Sequence, residues 1–239
     1  MEPSQEPDYL ASFKNHALSS PTRECCGLVV EVHGVLVYKP CTNIATKDYD
    51  FTISPLEYAY IESLGDIKFV CHSHLDNSAK PSDVDRKVCN YGTVPWLIYS
   101  TKSSALVTMY PGEDEVPIIG RQYKFGVLDC YGLAQDVYKE HLGITIGRPQ
   151  IEETEWFKHK TNLLEEHALE YGFTRVSTLN EFDLILFKAG DSKIPNHVGV
   201  KTDGNTFIHH LAHRLSTKEV YGGYWQKCTV GIYRHKDLL

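Results

Sequence analysis

The chain has 239 residues, 24 Lys and Arg against 31 Asp and Glu, a formal net charge of -7, and a composition 42% hydrophobic and 23% charged. That length suits two domains of roughly 100 residues better than one, and the composition is that of a chain able to bury a core, which excludes disorder. The acidic balance without a Lys/Arg run excludes nucleic acid as a partner, and no stretch nears the roughly 18 apolar residues needed for membrane insertion.

The leading residues Met1 to Asp8 are polar, with no basic segment running into an apolar one. No secretory signal is read there, and synthesis in a cytoplasm is expected. Seven scattered cysteines without a C-x-x-C pair suit reduced thiols, most of them buried. From Cys26 to Lys39 apolar and polar residues alternate around Gly34, predicting a β-hairpin. Ser54 to Ser63 predicts a short helix with an N-cap serine and a first-turn proline. Ile67 to Cys71 predicts a buried strand leading into His72, Ser82 to Cys89 a helix, and Trp96 to Ser100 and Ser104 to Tyr110 two more strands. Tyr110 to Gly120 combines prolines, glycines and three consecutive acids and reads as a linker. The boundaries that follow are a first domain over 1–110, a linker over 111–120 and a second domain over 121–239. In the second, Cys130 to Leu142 and Asn162 to Tyr171 predict helices, and Asp183 to Phe187, His197 to Lys201 and Thr206 to His209 predict strands. Mixed α/β followed by α+β is the expected fold class.

His72 and His74 lie two apart at the end of an apolar strand, so the pleat points both imidazoles to one face and Ser73 to the other. With Ser82 and Asp85 they form H-S-H-x7-S-x2-D. Two histidines and a carboxylate leave a fourth position for water on Zn²⁺, the arrangement of a catalytic zinc. Such a metal brings the pKa of its water toward about 7, and Glu24 in PTRECCGLVV is the candidate carboxylate to carry the proton. Against this, Ser82 with Asp85 also matches a helix capping box, and histidines at i, i+2 are often strand-surface residues. P-x-x-E-x-x-G followed by H-S-H-x7-S-x2-D resembles the JAMM (JAB, MPN) metalloprotease family, which implies a cytidine-deaminase-like fold. By that resemblance His72, His74 and Asp85 ligate zinc, Glu24 is general acid/base, and Ser82 helps stabilise the tetrahedral intermediate. Cys71 faces away from His72 and is read as core.

Cys130 opens a predicted helix, where unpaired N–H groups and the dipole favour a thiolate. His197 begins an apolar strand where it could serve as base, and His209 ends the next strand, where it could orient His197. A lone cysteine at a helix start is more often core packing, and His209, His210 and His213 could instead be a helical zinc pair, although no H-E-x-x-H accompanies them. D-C-x-G-L (Asp129 to Leu133), Phe182 to Phe187, H-V-G-V and Ile208-His209 resemble the NlpC/P60 cysteine peptidases, which implies a papain-like fold with Cys130 as nucleophile, His197 as base and His209 as orienting residue. Two departures stand out: Tyr131 where that family has a small serine, and Phe182 where it has glycine, either of which could narrow the cleft.

A JAMM domain followed directly by an NlpC/P60 domain resembles the tail tip assembly proteins of lambda-type siphophages, through G-R-Q-Y-x-F-G-V-x-D-C-Y, N-H-x-G-V and H-H-L-x-x-R-L-S among other stretches. The resemblance implies other phage tail tip proteins as partners, peptidoglycan stem peptide as substrate of the thiol centre, and an unidentified peptide or isopeptide bond for the zinc centre. It also implies residence in the host cytoplasm during assembly, then at the virion tail tip, with delivery to the host periplasm. The alternatives are a structural tail tip component whose hydrolase folds serve as docking surfaces, or a cytoplasmic protease processing a ubiquitin-like or carrier protein.

Overall fold

A computed structural model of the chain describes residues 6–113, 115–148 and 162–239. The first five residues of the polar leading stretch and Asp114 of the acidic linker lie outside the described residues. The chain divides into two compact units, Met1–Glu115 and Val116–Leu239. Among the described residues no helix is long and apolar enough to cross a membrane. All seven cysteines are free thiols.

The first unit runs α1 (Asp8–Ser19), β1 (Cys26–Val32), β2 (Val35–Cys41), α2 (Pro55–Glu62), β3 (Asp66–His74), α3 (Asp83–Cys89), β4 (Trp96–Ser100) and β5 (Leu106–Met109). Its five-stranded sheet has the order β2-β1-β3-β4-β5. β3 and β4 are parallel, which obliges the chain to cross over, and α3 is that crossover. The hairpin expected around Gly34 forms, with His33 and Gly34 both at positive φ, the requirement of a two-residue primed turn. The pleat sorts alternate residues into two cores. Val29, Tyr38, Cys71 and Leu97 pack on one face against Phe13 and Ala17 of α1, while Leu28, Val30, Trp96 and Ile98 pack on the other with Ile61 of α2 and Cys89 of α3. Cys71 therefore lies in the α1 core as expected, and His72 and His74 project to the opposite side.

α1 is not among the predicted elements. Pro7 precedes it without a side-chain cap, so the only signal is the Leu10, Phe13, Ala17 stripe. Ser54 does stand at the N-cap of α2, yet its side chain makes no capping bond there.

The second unit contains α4 (Cys130–Leu142), α5 (Leu163–Glu170), β6 (Phe173–Val176), β7 (Leu184–Phe187), β8 (His197–Lys201), β9 (Thr206–His209), β10 (Thr217–Val220), α6 (Tyr224–Cys228) and β11 (Thr229–His235). The six strands are ordered β10-β9-β8-β7-β11-β6, all neighbours antiparallel. β6, β10, α6 and β11 add to the elements read from the sequence. α4 lies on the sheet through Ala134, Val137 and Tyr138, which share a core with Leu184, Leu186, Val198, Val200 and Tyr233. The chain is thus a mixed α+β protein in two units.

Phe13 is fully buried, with ring centroids 5.4 Å from Tyr38 and 6.2 Å from Tyr99. Its truncation leaves α1 with little to hold it. Phe13→Ala is expected to destabilise the first unit by about 3–5 kcal/mol in urea unfolding; a loss below about 1 kcal/mol would show that α1 is not part of that core.

Candidate functional site

The first constellation forms at the end of β3, beside the parallel strand β4. Register places Cys26 of β1 opposite His72 on one side and Ile98 of β4 on the other. His72 is fully buried between Phe51, stacked on it at 4.4 Å and 19°, and the edge of Trp96. Two residues on, the Nδ1 of His74 faces the carbonyl of Ser78 at 3.0 Å. A carbonyl only accepts, so Nδ1 carries the proton and Nε2 of His74 presents its lone pair. The two Nε2 atoms are 3.1 Å apart, and Asp85 on α3 places Oδ1 3.4 Å from His72 Nε2 and Oδ2 3.4 Å from His74 Nε2.

Asp85 reaches this point because of how α3 starts. Ser82 Oγ accepts from the Asp85 N–H at 3.1 Å, and the Ser82 N–H donates to Asp85 Oδ2 at 2.7 Å. The capping box forms, and the same helix start brings the Asp85 carboxylate beside the two histidines. His72, His74 and Asp85 bring one ligand atom each within 4.8 Å of one another. Two imidazole nitrogens and a carboxylate, one imidazole already set as a lone-pair donor, fit a divalent metal of zinc type. The close imidazoles hold Asp85 well below the usual carboxylate range against the upward pull of burial. Burial pulls His74 down, but Asp85 overcomes it and raises the group.

Glu24 precedes β1, and the chain is fastened there through Ser73. The Cys25 N–H donates to Ser73 Oγ at 2.9 Å and the Ser73 N–H donates to the Cys25 carbonyl at 3.1 Å. Ser73 thus uses the face opposite the histidines to tie the residue after Glu24 to the middle of H-S-H. Burial pushes the Glu24 carboxyl up to about 8, opposed by His74 and reinforced by Asp85, Asp50 and Asp76. A cation among the ligands acts in the other direction and favours the ionised form.

The second constellation begins at α4. Asp129 caps the helix, its Oδ1 accepting from Gly132 N–H and its Oδ2 from Gly126 N–H, each at 2.8 Å, and it also pairs with Arg148. Gly132 is required: a Cβ there would stand 2.4 Å from the Val127 carbonyl oxygen. Cys130 follows as the first helical residue, half-buried, and the Val198 and Tyr131 backbone favours its ionised form. Burial nevertheless pushes the thiol up to about 12, with Asp129 adding to the rise. The helix terminus does not by itself produce a thiolate.

His197, beside Val198 on β8, is buried and its Nε2 lies 2.9 Å from Nδ1 of His209. Burial holds His197 well below its ordinary value, with His209 and His210 adding to the effect. Gly199 opposite His209 makes this packing feasible, because a Cβ there would meet the Phe207 ring at 2.7 Å, and that ring lies 4.6 Å from the ring of His209. His209 and His213 do not form a helical pair, since His209 ends β9 and His213 sits in a turn at φ 62°, and His210 bonds the Arg214 carbonyl at 3.1 Å.

The two departures from the family pattern have structural explanations. Phe182 has φ 65°, the left-handed conformation that favours glycine, and accepts through its carbonyl from the Tyr138 hydroxyl. Its ring lies 5.9 Å from that of His141, eleven residues along α4 from Cys130 and so about 16 Å away along the axis. It does not narrow the cleft. Tyr131 is buried in the core, its hydroxyl donating to the Gly147 carbonyl at 3.0 Å. Residues missed by sequence reasoning include Phe51 and Trp96 around His72, and Glu219 and Trp225. Glu219 Oε1 lies 3.3 Å from His209 Nε2, and the Trp225 ring packs against both histidines.

Residues 6–111 match the prokaryotic homologs of the JAB domain and residues 120–234 match the NlpC/P60 family. The chain is 33% identical over 226 residues to the tail tip assembly protein K of Escherichia phage N15, covering 93% of this chain and 92% of that protein. It is 28% identical over 187 residues to the tail tip assembly protein K of Escherichia phage lambda, covering 77% and 89%. Among solved structures, the NlpC/p60 domain of peptidoglycan hydrolase SagA is 19% identical, with 49% of this chain and 89% of that chain covered and a TM-score of 0.33.

His197, His209 and His210 are all lowered by burial from 6.5, His210 to about 4. Unfolded, they bind protons below about 6.5 that the folded unit resists, so stability present above that pH is lost as pH falls through the window from 6.5 toward 4. Hydrogen exchange at His197–Lys201 and Thr206–His209, corrected for intrinsic rate, should show weaker protection at pH 5 than at pH 7. Equal protection at the two values would contradict the buried, neutral assignment.

Proposed function

Because the chain belongs to the tail tip assembly protein K family, we propose that it acts at a phage tail tip as a protein with two peptidase centres. The thiol centre, in residues 121–239, hydrolyses peptidoglycan stem peptides during tail assembly or genome entry. The metal centre, in residues 1–110, hydrolyses a peptide or isopeptide bond of another protein. Its partners are other tail tip proteins, met first in the host cytoplasm and then in the virion, from which it is delivered to the periplasm.

The observation that carries this reading is the 2.9 Å contact of His197 with His209 on the strand packed against the Cys130 helix. Cys130 and His197 are both neutral at rest, so the proton moves during attack. Sγ adds to the scissile carbonyl carbon as Nδ1 of His197 takes the thiol proton. The C–N bond then breaks as His197 returns that proton to the leaving amine, leaving a thioester on Cys130. Water adds to the thioester while His197 accepts its proton, the carboxylic product departs, and the proton returns to sulfur. His209 holds the His197 ring in place throughout.

At the other centre, His72 Nε2, His74 Nε2 and the Asp85 carboxylate would hold zinc. A zinc ion so held polarises a carbonyl and brings the pKa of a water toward about 7. Glu24 carries the proton from the attacking water to the leaving amine. Ser82 Oγ already accepts from Asp85 N–H, and its own hydrogen serves the substrate oxygen as that oxygen gains charge.

With peptidoglycan or defined stem peptides, cleavage at the D-glutamyl–diaminopimelate bond is expected, lost in Cys130→Ala and kept in His72→Ala/His74→Ala, with products identified by mass. Absence of cleavage by folded wild-type protein would replace the thiol-peptidase reading with the structural one, in which the folds are docking surfaces. Separately, the purified chain should retain about one zinc per molecule after dialysis, and the double histidine variant none; equal zinc in the two would remove the metal centre.

A further inference from the structure

The thiol centre has a polar partner beyond its two histidines. Glu219 stands on β10, in register with Phe207 of β9, and its carboxylate is divided between two rings. Oε2 accepts from the Trp225 Nε1–H at 2.8 Å, and Oε1 lies 3.3 Å from Nε2 of His209, short of a well-aligned hydrogen bond. That Nε2 is buried and has no hydrogen-bond partner among the described residues. Trp225 itself packs edge-on to His209, with centroids 4.6 Å apart, and at 5.8 Å from His197. The carboxylate is thus held by the same indole that walls in the histidine pair.

We propose that Glu219 is a positioning residue that sets the tautomers of both histidines, so that His197 presents a bare Nδ1 to Cys130. This inference rests on the thiol-peptidase reading. A carboxylate can only accept, so the proton of neutral His209 belongs on Nε2. Nδ1 of His209 then carries a lone pair, and the bond between the rings forms only with His197 Nε2–H as donor. The single proton of neutral His197 is thereby used, and its Nδ1 is left as the base. Reversing the first proton reverses the whole relay and places a proton on the nitrogen that must accept one. The charged and titratable groups that act on the pair are Glu219, Arg214 and His210; Glu219 alone raises His209 among the charges that act on it, against burial and Arg214.

Glu219→Gln is the discriminating variant because it preserves shape. Trp225 claims the amide oxygen, and the amide nitrogen then donates toward His209 Nε2, which must lose its proton. In long-range ¹H–¹⁵N spectra of the full chain labelled at histidine, wild-type protein should show His209 and His197 both protonated at Nε2. Glu219→Gln should shift both protons to Nδ1 and lower kcat on a stem peptide by at least about tenfold with KM little changed. Glu219→Asp, still an acceptor, should keep the wild-type tautomers and most of kcat. The proposal is overturned if wild-type His209 carries its proton on Nδ1, a reading that needs no variant, or if Glu219→Gln leaves the tautomers unchanged. A wild-type protein that cleaves no peptide would defeat the peptidase reading instead, and the spectra would still decide the role of Glu219.

Discussion

In both units the candidate reacting groups stand on or beside buried strands, and the pleat decides which of them share a face. On β3 the alternation sends Cys71 into the α1 core and Ser73 to the segment after Glu24, while His72 and His74 turn together toward α3. A slip of one residue would exchange these sets and leave two imidazoles in the apolar core. The register is secured on both flanks, by β1 antiparallel and β4 parallel, which is why a site assembled from three separate segments holds its shape. In the second unit the β8–β9 pairing plays the corresponding part: with Gly199 opposite His209, the His197 and His209 rings meet at 2.9 Å.

Capping supplies the remaining groups. Asp85, in the first turn of α3, and Asp129, at the N-cap of α4, both have their carboxylates fixed by backbone N–H donors. Asp85 gives one carboxylate two tasks, fixing the start of α3 and facing two imidazoles. Asp129 spends its charge on the helix start and on Arg148, and its contribution to Cys130 is position. Burial dominates the energetics at that cysteine, outweighing the neighbouring backbone N–H groups and favouring the neutral thiol, as it favours the neutral form of His197. The chemistry therefore depends on which nitrogen of His197 is bare, more than on a preformed charge on sulfur.

Much of this was legible in the chain itself. H-S-H at the end of an apolar strand presents two histidines together, and the spacing to Ser82 and Asp85 reads as a cap as well as a candidate ligand set because the cap is what carries the Asp85 carboxylate to the histidines. Cys130 at a helix start and the positions of His197 and His209 were likewise readable from strand and helix boundaries. What escaped were effects of tertiary packing. α1 has no capping signal and exists because Phe13 and Ala17 fill one face of the sheet. Phe182 looked like a change in the cleft, but its importance is a left-handed backbone far along α4 from the sulfur. Glu219 lies ten residues past His209 on a four-residue edge strand whose sequence, T-K-E-V, carries no catalytic pattern. Its proximity to His209 arises only when β10 pairs with β9.

If Cys130 and His197 form one reacting pair, covalent trapping of the thiol will depend on the histidine. The full chain would be treated at neutral pH with a peptidyl epoxide or chloromethyl ketone and the adduct located by intact mass and peptide mapping, in wild type and in His197→Ala. A single adduct on Cys130 is expected, its rate of formation falling at least about tenfold without His197. Labelling of Cys130 at the same rate in both proteins, or an adduct confined to another cysteine, would contradict it.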